Sequence, residues 1–180
     1  MDRADLLHPL LRERYSPLSF DPSHHIKEEE VELLLEAARW APSAGNSQPW
    51  AFVSARRGDD RHAMVARHLA GSSRRWALSA STLFVNIAHR FVEDSGIAFS
   101  EFSDYDLGQA VAHLTLQAQS MGLGCRQFRA FDLETLSQEL QLAPGWHVVS
   151  MTAVGRAAEP MTRDRERREA HALERDALTQ

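Results

Sequence analysis

Apolar and polar positions along the chain sort into helix-like and strand-like runs separated by short polar breaks. From Lys27 to Trp40, residues Val31, Leu34, Leu35 and Ala38 recur at i, i+3, i+4 and i+7, and Glu28, Glu29 and Glu30 occupy the first turn, where the helix dipole favours anions. A longer stripe of Leu107, Val111, Leu114, Ala118 and Met121 predicts a helix over 105–121, ended by Gly122. Helices are also predicted over 59–70, with Met64, Val65 and Leu69 inward, and from the N-cap residue Asp132 to Leu142, before Pro144 and Gly145. Through 4–14, Leu6, Leu7, Leu10 and Leu11 keep helical spacing but Pro9 interrupts it, so a short or kinked helix is expected.

Strand patterns occupy 50–55, 82–88, 125–128 and 147–154, and the β-branched and aromatic density of 82–88 is that of a buried strand. Residues 16–22 and 71–75 read as polar breaks. The tail over 156–180 interleaves Arg163, Arg165, Arg167, Arg168 and Arg175 with acids, as a solvated helix or an arm embracing a partner would. Helices and strands alternate without a regular βαβ repeat, which predicts an α+β fold rather than a doubly wound sheet.

At 180 residues and 20.3 kDa, with 43% hydrophobic and 25% charged residues, the chain reads as one soluble domain over 1–180. No run approaches the roughly 20 apolar residues that cross a bilayer. The N-terminus lacks a signal-peptide pattern, so a cytoplasmic location and no membrane partner are expected. A net charge of −5 argues against nucleic acid as a partner, because phosphate binding needs a dominant basic face. The single cysteine, Cys125, excludes an internal disulfide framework and reads as a small buried hydrophobe. The histidines show no metal-ligand spacing, so no metal site is expected. Residues 122–127, G-L-G-C-R-Q, lack the third glycine of a dinucleotide fingerprint and follow a helix instead of a strand.

The segment with most chemical content runs from Ala41 to Phe52, A-P-S-A-G-N-S-Q-P-W-A-F. Pro42 and Pro49 fix two φ angles and reduce the entropy lost on ordering the loop. Ser43, Asn46, Ser47 and Gln48 offer hydroxyl and amide groups to a flat, polar-edged ligand.

Pro42, Ser43, Asn46, Gln48, Pro49 and Trp50 form the pattern P-S-x-x-N-x-Q-P-W, which resembles the flavin-binding signature of the nitroreductase family, FMN-dependent NAD(P)H oxidoreductases. Arg14, Ser16 and Phe20 match the family's upstream R-x-S-x-[RK]-x-F, and Ala118 to Gly124 resembles the end of its central helix; the similarity spans residues 12 to about 155. The resemblance implies an α+β homodimer with a mostly antiparallel central sheet flanked by helices and with active sites shared between subunits. It further implies FMN as cofactor, NADH or NADPH as donor and a planar acceptor such as a nitroaromatic or quinone, with the chemistry on flavin N5 and no catalytic side chain.

Carried over residue by residue, the resemblance implies Arg14 and Ser16 at the FMN phosphate, completed by Arg165 and Arg167 of the tail, with Arg163 or Arg168 serving equally by spacing. Pro42, Ser43, Ala44, Asn46 and Gln48 would contact flavin and ribityl chain from the neighbouring subunit, and Arg129 and Ala130 would face N5 through their main chains. Two positions depart from the pattern: Ala130 stands where glycine is common, and Leu18 stands where a basic residue neutralises charge near N1. Arg74 or Arg75 is the expected replacement for that charge. Phe99 and Phe102 are expected in a cleft lid or a buried aromatic cluster. The same scaffold also suits reductive dehalogenases, flavin-fragmenting enzymes and flavin-storing modules without efficient turnover.

Overall fold

The computed structural model describes residues 3–92 and 96–159. The expected tail segment and its Arg165 and Arg167 lie outside the described residues. Among the described residues four strands form one sheet: β1 (Trp50–Arg56), β2 (Thr82–His89), β3 (Gly124–Phe128) and β4 (Trp146–Gly155). Their spatial order is β1-β2-β4-β3 and each neighbouring pair is antiparallel. The expected antiparallel α+β architecture is therefore present.

Two helices cover one face. In α2 (Glu28–Arg39) Val31, Leu34 and Ala38 are buried, and in α5 (Ser103–Ser120) Ala110, Leu114 and Ala118 meet them over Phe84, Cys125 and Val154. The alternation that aims these strand residues at α2 and α5 aims Leu83, Val85, Ile87, Met151 and Ala153 at the opposite face. That face is covered by α3 (Asp60–Arg67), α4 (Gly71–Ala77) and α6 (Leu133–Leu140), which contribute Val65, Ala77 and Leu136. Asp132 caps α6 by accepting from the Thr135 N–H, as its residue type predicts.

One local expectation needs correction. Residues 71–75 are not a break but most of α4: the helix turns only Ser73 and Ala77 fully inward, too weak an apolar signal to read from sequence. Instead its stability comes from tertiary hydrogen bonds. Near the N-terminus, Pro9 takes the first helical position of the one-turn helix α1 (Pro9–Arg12), where its missing N–H costs nothing, and a separate 3₁₀ turn precedes it at Arg3–Leu6.

A bulge in β4 lies between the pairs Asn86–Ser150 and Ile87–Val148. The buried Asn86 amide donates to the hydroxyls of Ser150 and Thr152 at 3.0 and 2.9 Å, so the polar centre of the sheet is tied across two strands. Among the described residues, no helix is long and apolar enough to cross a membrane.

Candidate functional site

The loop between α2 and β1 is exposed along most of its polar length, with Ser43 half-buried and Pro49 buried. Its backbone bends sharply: Gly45, Asn46 and Gln48 have φ of 59°, 54° and 46°. Left-handed backbone suits glycine, but at Asn46 and Gln48 it costs about 1–3 kcal/mol each and persists only when neighbouring contacts hold it. Those contacts are visible. The Gln48 N–H donates to Ser43 Oγ at 3.0 Å, the Gln48 amide to Asn46 Oδ1 at 3.2 Å, and the Ala44 N–H to Asp106 Oδ2 at 3.0 Å.

Asp106 is the strongest of these holds, because it is 2% exposed and lies in the first turn of α5. Sequence reading missed it. The signal was present: Asp106 stands four residues before Ala110 and eight before Leu114, placing an acid on a stripe that otherwise faces the core.

The second group of expected residues gathers around β3. Arg14 and Ser16 are half-buried, and Pro17 packs so tightly on Gly124 that a Cβ there would stand 2.4 Å from Pro17 Cγ. The Arg14 charge is felt at Cys125, although burial dominates and pushes that thiol up to about 12. Arg126 reaches back from β3 to the Pro17 and Leu18 carbonyls at 3.3 and 3.4 Å and lies over the Trp76 ring at 4.0 Å. It therefore brings a guanidinium to Leu18, where the sequence lacked a cation. Arg74 is otherwise engaged, donating to the Ala66 and Arg67 carbonyls at the end of α3, while Arg75 is exposed on α4.

Beyond β3 the chain leaves the sheet at Arg129, exposed, and Ala130, half-buried. The Arg129 carbonyl accepts from the Phe131 N–H at 3.0 Å, and the Ala130 carbonyl accepts from the Ala70 N–H at 3.1 Å and from the buried Ser73 hydroxyl. Both carbonyls of this turn are thus engaged inside the protein.

The sheet order separates the two groups. The Pro42–Gln48 loop feeds edge strand β1, whereas Arg14 and Ser16 lie beside the start of edge strand β3 and Arg129 and Ala130 follow its end. Three strand intervals of roughly 4.8 Å put about 14 Å between those edges.

Phe99 belongs to an aromatic stack: its ring lies 4.0 Å from His89, which in turn lies 4.6 Å from Trp146 at an interplanar angle of 5°. Phe102 instead stands at the entry to α5, 53% exposed, with its ring 6.4 Å from that of Tyr105.

In chemical terms the donor set fits FMN. A half-buried arginine with a serine two residues on suits a phosphate. The amides and hydroxyls of Asn46, Gln48 and Ser43 suit a heteroaromatic edge, and a fixed main-chain turn follows β3.

Comparison with known proteins bears on the same segments. The sequence profile described as the nitroreductase family matches residues 11–89 and 60–156. An oxygen-insensitive NAD(P)H nitroreductase of Salmonella typhimurium is 35% identical over 86 residues, 46% of this chain, so that the match spans only 39% of that relative's length. A 5,6-dimethylbenzimidazole synthase of Rhodospirillum rubrum is 32% identical over 152 residues, 72% of each chain. Among solved structures, one described as an oxidoreductase containing FMN superposes with a TM-score of 0.79 at 28% identity, covering 91% of this chain and 84% of the other.

Proposed function

The chain belongs to the nitroreductase family, and from that premise we propose that it is an FMN-dependent NAD(P)H oxidoreductase acting on a planar acceptor such as a nitroaromatic or quinone. The observation that carries this reading is the strained loop at 42–48, held open toward solvent by a buried carboxylate. A protein keeps two non-glycine residues in left-handed backbone only where something over-determines them, and such strain concentrates at ligand clamps.

When bound, FMN would supply the hydride-accepting centre that no side chain here provides. Arg14 and Ser16 would hold the phosphate, with Arg165 and Arg167 completing that site. The loop would cover the ring, Arg129 and Ala130 would meet N5 with main-chain groups, and Arg126 would bring positive charge to the Leu18 side. The protein's work is then positioning, dipole orientation and exclusion of water.

The same reading makes the working unit a homodimer. The two halves stand at opposite sheet edges, and apolar residues of α1 and of α2 with its C-cap, Leu11, Leu33 and Trp40, are open to solvent at 49%, 45% and 71%. A pocket of about 410 Å³ between α1, α2 and α5 is lined by Leu10, Trp40, His113 and Leu116 among others. A second copy would cover this surface and bring its own loop to the first copy's β3 edge.

The test is direct: the purified protein should be yellow, release FMN on denaturation and bleach rapidly with NADH or NADPH under anaerobic conditions. A colourless protein that ignores added FMN refutes the proposal. The Rhodospirillum rubrum match supports a second reading, synthesis of a benzimidazole ring on the same scaffold. Formation of 5,6-dimethylbenzimidazole during aerobic incubation with FMN and NADH would select it.

A further inference from the structure

The turn that leaves β3 is fixed by a hydroxyl no sequence motif singles out. Ser73, on α4, is 1% exposed, and its single proton lies within reach of the Ala70 carbonyl at 3.0 Å and, at shorter distance, the Ala130 carbonyl. The Ala130 carbonyl also takes the Ala70 N–H at 3.1 Å. Two donors from the start of α4 therefore grip one peptide oxygen. On either side, the Phe131 N–H occupies the Arg129 carbonyl and the Asp132 N–H donates to the His68 carbonyl at 2.8 Å. With its carbonyls engaged and the Phe131 and Asp132 N–H groups spent on other carbonyls, the main-chain groups this turn leaves for a ligand are the N–H groups of Arg129 and Ala130, not oxygens.

Resting on the proposed function, we infer that Ser73 is a positioning residue for hydride transfer: by holding the Ala130 carbonyl against α4 it keeps the Arg129–Ala130 turn as a fixed N–H donor toward flavin N5. In oxidised flavin N5 is an acceptor, and a donor there withdraws electron density and speeds hydride uptake. After the hydride, a proton with two electrons, has left the nicotinamide and added to N5, that atom carries hydrogen and is itself a donor. A free carbonyl could swing round to accept it, whereas the Ser73 grip forbids the swing. The grip thus accelerates reduction while withholding stabilisation from the reduced form. Ala130 matters for the same reason, since its Cβ leaves the turn less backbone freedom than glycine would.

The opposed signs define the experiment, made on the FMN-loaded protein. Ser73→Ala should keep FMN affinity within a few-fold of the parent, raise the flavin midpoint potential, and slow anaerobic bleaching by NADH about tenfold, equal to about 1.4 kcal/mol of barrier. Ser73→Thr, which retains the hydroxyl, should restore both values. Ser73→Cys, nearly isosteric and a weak donor, should fall between and serves if the alanine variant folds poorly. Potential and rate unchanged in Ser73→Ala, or a loss of affinity and melting temperature with no rise in potential, would overturn the inference. A parent that takes up no FMN overturns the proposed function with it, whereas a parent reduced by NADH and matched by Ser73→Ala overturns the Ser73 role alone.

Discussion

Asp106 is the side chain whose removal should separate the clamp from the phosphate end of the site. Its carboxylate accepts the Ala44 N–H from within the core, a charge-assisted bond worth about 1.5–3 kcal/mol. Against it stands the backbone strain at Asn46 and Gln48, about 2–6 kcal/mol together from the usual cost per residue. Asp106→Ala therefore removes a hold comparable to the load it carries, and the loop spends most of its time outside the binding conformation. Apparent affinity falls with the fraction of competent loop, tenfold for each roughly 1.4 kcal/mol. The FMN dissociation constant should rise about 10–100-fold. Asp106→Asn keeps an acceptor without the charge, a bond about half as strong, and should cost only about 3–10-fold. Fluorescence titration of FMN and of riboflavin, with the melting temperature of the cofactor-free protein as control, measures this. Both ligands should weaken by the same factor, because the phosphate contacts are untouched. A folded Asp106→Ala protein that binds FMN within twofold of the parent refutes the clamp argument.

Three further outcomes follow from particular contacts. Gly124→Ala would drive a Cβ to 2.4 Å from Pro17 Cγ, and overpacking against a rigid ring costs about 1–3 kcal/mol; thermal melting should drop by several degrees and FMN should bind with a weaker salt dependence, as the Arg14–Ser16 segment is pushed away. His62 and His24 are both held below their ordinary value of 6.5, chiefly by burial. Because the unfolded chain then binds protons that the folded one refuses, stability is present above pH 6.5 and is lost as pH falls below it; melting curves between pH 7.5 and 5.5 should show this slope, and His62→Leu should reduce it. Cys125 is 3% exposed with its thiol pushed up to about 12, so a colorimetric thiol reagent at pH 8 should react only after denaturant is added.

Elements whose burial is decided by apolar periodicity were legible from the chain itself. The Val31, Leu34 and Ala38 stripe and the Leu107, Leu114 and Ala118 stripe became α2 and α5, and the β-branched run at 82–88 became a central strand. Elements held by tertiary hydrogen bonds were not. Helix α4 turns a serine and an alanine inward, and depends on Ser73 reaching Ala130 and Arg74 closing the end of α3, partners 57 and 8 residues distant. The candidate site divides in the same way. Contiguous pieces such as Pro42–Gln48 and the Arg14–Ser16 pair were visible, whereas Asp106, Ser73 and Arg126 act on backbone groups brought near only by folding. Arg126 shows the limit most clearly, since the sequence offered Arg74 or Arg75, before Trp76, and the guanidinium that meets the Leu18 carbonyl comes from a residue 108 positions away.

The separation of the two half-sites also constrains how the protein retains a cofactor. In the proposed homodimer, a ligand gripped at its phosphate end by residues near β3 and over its ring by the loop of the second copy would bridge two chains. Its binding energy then counts toward association, and association counts toward its binding, by the same factor in each direction. The clamp gains from this arrangement. Its strain is stored in each chain separately, at Asn46 and Gln48, and in the proposed dimer a ligand held by the other chain would add to the contacts that offset it. A loop that relaxed in the free chain would have to be reordered during binding, and the entropy of that step would fall on the affinity. The buried carboxylate of Asp106 lowers this penalty by fixing the loop from its own core before a ligand binds.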